Sequence, residues 1–182
     1  MKAMYKIIIL LLLVSPSMEA YSQRQICTKN IDAYVGIWEY KNNEEIFRII
    51  MKKGIVYLSN VLTDCLLGDY YYKKGNIVVN DYNSGNNIPD TYTRKTSLNV
   101  IIYATNAFNC EYKDRVDENR LYMHFSDINL NKHTASGAIH LLSPNSIRWI
   151  LEEEEGEYVG EAPPLGFSVP TDVIMTRVSE PY

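Results

Sequence analysis

An all-β chain is predicted, an up-and-down antiparallel meander of roughly ten strands closing into a barrel, and three observations carry that expectation. Apolar residues alternate with polar ones over short runs separated by turn residues. Tyrosine is abundant, 15 Tyr against 4 Phe, and a ring with a polar tip suits a half-buried pleated surface. Beyond the N-terminal segment, no run of ten or more residues has helical periodicity. The 182 residues, 46% hydrophobic and 12% aromatic, are enough for one domain with its own core.

Residues 1–22 read as a secretory signal peptide. Lys2 and Lys6 precede the apolar run Ile7 to Val14, which is followed by Ser15, Pro16 and small residues. That run is far shorter than the ~20 residues of a membrane-spanning helix. Ala20-Tyr21-Ser22 places cleavage before Gln23, with cleavage after Ala20 as the alternative, and leaves 23–182 as a single barrel domain. The expected location is secreted or periplasmic. Removing Lys2, Lys6 and Glu19 takes the formal charge from −4 to −5. Basic residues are scattered or paired at turns, as in Lys52-Lys53 and Lys73-Lys74, so nucleic acid is not an expected partner.

The stretch from Tyr34 to Leu58 anchors the reading as three strands. Trp38 and Tyr40 share a face with Gly36, which marks either a bend at a strand start or a close approach. Phe47, Ile49 and Met51 share the core-facing side of the next strand, with Arg48 and Lys52 on the wet side. Lys53-Gly54 reads as a turn into the third run. Leu66 to Asn80 repeats this grammar, with Lys74-Gly75 as the hairpin turn.

Residues 80–96 are rich in Asn, Asp, Ser, Gly and Pro and form a long loop, mobile or overhanging the barrel mouth. Leu98 to Ala104 is a buried strand, and Asn119 to Ile128 alternates with Leu121, Met123 and Phe125 on one face. Ala135 to Leu142 and Ile147 to Glu152 form a hairpin around Ser143-Pro144-Asn145-Ser146. A second long loop, 152–166, carries six glutamates whose mutual repulsion favours a solvated tip. Thr171 to Val178 is the last strand.

Gly36-Ile37-Trp38, led by Ile31-Asp32-Ala33-Tyr34 and followed by successive hairpins, resembles the first strand of lipocalin-type (calycin) barrels. The chain also resembles a family of short secreted Bacteroidetes proteins of unknown function. These share the leader, the opening motif and a closing strand like Pro170-Thr171 to Arg177. The resemblance implies that Trp38 closes one end of the barrel against Arg177, and it implies lipid or pigment binding only loosely.

Candidate chemistry is sparse. His124 and His140 alternate out of phase with their apolar neighbours and His133 sits in a polar loop. No paired spacing points to a metal, and nothing around them spells a hydrolase. The acidic run lacks the spaced Asp ligands of a calcium loop. Of Cys27, Cys65 and Cys110, a disulfide between Cys65 and Cys110 is the preferred pairing in an oxidising compartment, with three packed thiols as the alternative. The expected function is non-catalytic binding of a small apolar ligand inside the barrel, lined by Trp38, Tyr40, Phe47 and Ile49, without a cofactor. The alternative is a surface-recognition or inhibitor-like protein that binds a macromolecule through loops 80–96 and 152–166, which a barrel filled by side chains would favour.

Overall fold

The structure, a computed structural model, describes residues 26–27, 30–58, 61–81, 88–92, 102–105, 108–109, 117–130, 132–153 and 164–179. Residues 1–25, Cys110 and most of both long loops lie outside these residues. The strands are β1 (Ile26–Cys27), β2 (Gly36–Lys41), β3 (Glu45–Leu58), β4 (Val61–Lys74), β5 (Ile77–Asp81) and β6 (Thr91–Tyr92), then β7 (Ile102–Thr105), β8 (Phe108–Asn109), β9 (Arg120–Asp127), β10 (Lys132–Ser143), β11 (Ser146–Glu152) and β12 (Asp172–Val178). Among the described residues no helix is long and apolar enough to cross a membrane.

The sheet closes. Strands follow the order β4-β7-β9-β10-β11-β12-β2-β3, and β3 pairs back onto β4. The result is an antiparallel barrel of eight strands, with β5 outside it on β4. Closure removes the unpaired edges that an open sheet would expose. Eight strands, and not ten, make the ring, in part because β3 runs unbroken through Lys53-Gly54, where the sequence suggests a turn. A Cβ on Gly54 would come within 2.5 Å of Leu67 Cδ1 and 3.2 Å of the Asp90 carbonyl oxygen, so this glycine permits close packing within a strand. Gly75, by contrast, has φ +58° at the β4–β5 turn, the left-handed conformation glycine adopts without steric cost.

Alternation divides the side chains between two clusters. Inside the barrel, Trp38, Phe47, Ile49, Tyr70, Phe125 and Trp149 are fully buried with Leu66, Leu121, Ile139 and Met175. Outside it, Cys65, Val56, Leu67, Ile88 and Tyr103 form a smaller cluster, with Ile50 packed against it. That arrangement accounts for the apolar residue at position 50 on the side expected to be wet. Arg48 also points outward yet is buried, because the register sets Glu39 opposite and the two side chains form an ion pair. The described part of the first long loop, 88–92, does not overhang the mouth. It lies along the outside of β3, where β6 pairs in parallel with Ile55 and Val56 and Asp90 binds Lys52 at 3.0 Å.

Candidate functional site

A described segment packs on each end of the barrel. At one, the 3-10 turn Ile31–Tyr34 lies beneath Trp38, whose indole Nε1 donates to the Tyr34 carbonyl at 2.8 Å. Arg177 stands opposite Trp38 in the β12–β2 ladder, its guanidinium carbon 4.3 Å from the centre of the indole. Nη1 donates to the Val35 carbonyl at 2.6 Å, Nη2 to Ala33 at 2.6 Å and Nε to Pro144 at 3.1 Å. Gly36 sits beneath this guanidinium at φ +135°, and a Cβ there would lie 2.9 Å from Arg177 Nη1. Gly36 thus combines both of its possible roles: it begins a strand and it admits a close approach.

At the other end, the segment 164–170 between β11 and β12 lies across the mouth. Asp127, fully buried at the end of β9, accepts hydrogen bonds from the Ser168 amide at 2.5 Å and the Ser168 hydroxyl at 2.6 Å. Lys132 is buried too. It binds Glu153 at 2.5 Å and the Gly166 carbonyl at 3.2 Å, and lies 4.3 Å from the centre of the Phe167 ring. Val169 joins the core below. Of the six glutamates expected in a solvated tip, Glu153 is thus tied down by a buried cation. The dispositions of Asp127 and Lys132 are not readable from sequence, since nothing near either residue names a partner some 20 to 40 residues away.

Between these ends the four residues expected to line a cavity fall into two groups. Phe47 packs edge-on against Tyr70, Tyr72 and Trp149 at centroid distances of 6.2, 6.0 and 5.4 Å. Trp149 in turn meets Phe125 at 5.5 Å, and Phe125 meets Tyr70 at 5.2 Å. Each such pair contributes about 0.5–1.5 kcal/mol beyond its burial. Trp38 and Ile49 belong to the same buried cluster. Tyr40 is different: half-buried near the β2–β3 turn, it accepts a hydrogen bond from Asn42 Nδ2 at 2.8 Å.

Concave surface is found on the outside of the Trp38 end. A pocket of about 410 Å³ opens between the 3-10 turn, the start of β9 and the β10–β11 turn. Ala33, Leu141, Leu142 and Pro144 supply apolar wall, while Asn30, Asn119, Ser143 and Arg177 supply polar groups. Its volume falls in the roughly 300–1,000 Å³ of small-ligand sites, and its mixed lining is of the same kind. Sequence reasoning misses it because the residues come from four separate stretches, and of them only Arg177 carries a signal of its own.

The remaining candidates do not assemble into chemistry. His124 and His140 stand on neighbouring strands but face different partners, Ser136 and Arg120. His124 stacks on Tyr103 with ring centres 5.9 Å apart. His133 lies on β10. Among the described residues no group of three or more His, Cys, Asp or Glu could hold a metal. Cys65 is free and enclosed by the outer apolar cluster, and Cys110, its expected partner, lies outside the described residues. Burial, with Asp64 nearby, pushes its thiol up to about 12.

No curated protein and no solved structure matches the chain. A family does: residues 1–178 match the family described as Family of unknown function (DUF6705), and the chain belongs to it.

Proposed function

We propose that this is an exported, non-catalytic binding protein that recognises its partner from outside a filled barrel, with the pocket at the Trp38 end as its contact point. The reading is carried by the packing of Phe47, Tyr70, Phe125 and Trp149. Rings in mutual contact, edge-to-face or tilted, occupy the space a ligand inside the barrel would need. Export is supported by the leader-like pattern of Lys2, Lys6 and the run from Ile7 to Val14. A fragment screen by NMR on the labelled protein tests the site. Bound fragments should shift the amides of Ala33, Asn119 and Leu141 to Ser143, and Leu142→Trp, which fills the pocket from an exposed position, should abolish those shifts. Fragments that instead shift Phe47, Phe125 and Trp149 would return the ligand to the interior and overturn the proposal.

A further inference from the structure

The state of Arg177 points to a ligand class, provided that the pocket is the contact point proposed above. A guanidinium carries five N–H donors. Three of those of Arg177 meet the carbonyls of Ala33, Val35 and Pro144, which leaves two. The side chain lines the pocket and is only half-exposed. No carboxylate among the described residues pairs with it. Asp32 of the 3-10 turn pairs instead with Lys53 at 3.2 Å, and Asp117 accepts a hydrogen bond from the Asn119 amide at 2.9 Å. A cation held by neutral carbonyls at the wall of a partly apolar pocket is a place where an anion gains charge-assisted hydrogen bonds without displacing an ion pair. A planar carboxylate matches the planar guanidinium better than a spherical anion does.

We propose that the pocket takes a carboxylate joined to a short apolar body, the carboxylate on the unused N–H groups of Arg177 and the body against Leu141, Leu142 and Pro144. A free organic acid and the C-terminus of an apolar peptide present the same chemistry. Four probes separate them: hexanoate and hexanamide, then acetyl-Ala-Leu with a free C-terminus and the same peptide as its amide. Each is titrated into the full-length protein while the Ala33, Asn119 and Leu142 amides are followed by NMR. Each acid should bind at least about tenfold more tightly than its amide, a preference that weakens with added salt. The tighter of the two acids then identifies the source. Leu142→Glu, a substitution at an exposed position, should weaken the acids more than the amides. Equal binding of acid and amide at this pocket would overturn the ligand class while leaving the site intact. Silence of the pocket toward all four probes up to about 10 mM would overturn it as well. If fragments also fail to reach the pocket, the site reading falls with it.

Discussion

Asp69 shows how one buried side chain contributes to the pH response of the fold. It lies on the outer face of β4, 3% exposed, and its Oδ2 has no hydrogen-bond partner among the described residues. Burial pushes its carboxyl up to about 6, against an opposing pull from Lys52. A raised carboxyl binds more protons in the folded than in the unfolded state, so its contribution to stability falls as pH rises from about 4 to about 6. At one pKa unit per 1.36 kcal/mol the penalty at neutral pH is about 2–3 kcal/mol. Asp69→Asn should therefore raise the denaturation midpoint at pH 7.5, an advantage that shrinks as the pH is lowered to 4. An equal gain at both pH values would show that ionisation is not the cause. Gly36 is the second case. Ala at this position meets both a backbone angle that L-residues avoid and the Arg177 guanidinium. Gly36→Ala should lose about 2–3 kcal/mol in urea unfolding, whereas Gly75→Ala, with open space around it, should lose about 1 kcal/mol.

At the scale of elements, alternation was legible wherever both faces of a strand had distinct environments. β9, β11 and β12 fall within a residue or two of their expected bounds, because Leu121, Met123 and Phe125, or Ile147 and Trp149, face a core while their neighbours face outward. Legibility failed where a glycine had two possible roles. Met51-Lys52-Lys53-Gly54 and Tyr72-Lys73-Lys74-Gly75 read alike, yet one continues a strand under a covering segment and the other turns. The difference lies in Leu67 and Asp90, which the local sequence does not contain. The strap 164–170 was hidden for a similar reason: its hold on the barrel depends on Asp127 and Lys132, both remote in sequence. Asp127→Asn keeps the shape but loses the charge and one acceptor. It should cost about 2 kcal/mol, the range for a hydrogen bond to a charged group, and should speed hydrogen exchange at Ser168 more than at β9. Unchanged exchange at Ser168 would mean that the strap is held by Lys132 and by the packing of Val169 and Phe167, without help from the Asp127 charge.

For the molecule as a whole, the decisive contact is between its two ends. Closure rests on the β12–β2 ladder, where Thr176, Arg177 and Val178 pair with Glu39, Trp38 and Ile37 across nearly the full described length of the chain. The barrel itself could be inferred from strand count and hairpin order, and the pairing of residue 38 with residue 177 from a resemblance to barrels with the same opening motif. The three carbonyls that hold the guanidinium could not, since carbonyls are common to every residue and only the folded backbone aims them. They make Arg177 a junction between the 3-10 turn, the β10–β11 turn and the closing strand. Arg177→Met retains apolar contact with Trp38 but leaves the carbonyls of Ala33, Val35 and Pro144 without their donor. The variant should unfold about 3 kcal/mol more easily, with loss of near-ultraviolet dichroism from the indole in the same transition. Arg148→Met provides the contrast. That side chain bonds Asp172 through two nitrogens on the exposed outer face, where solvent screens the pair, and its midpoint should barely move. If the two variants behave alike, the seam between the first and last barrel strands is held by backbone pairing and core packing, and Arg177 is free to serve the pocket alone.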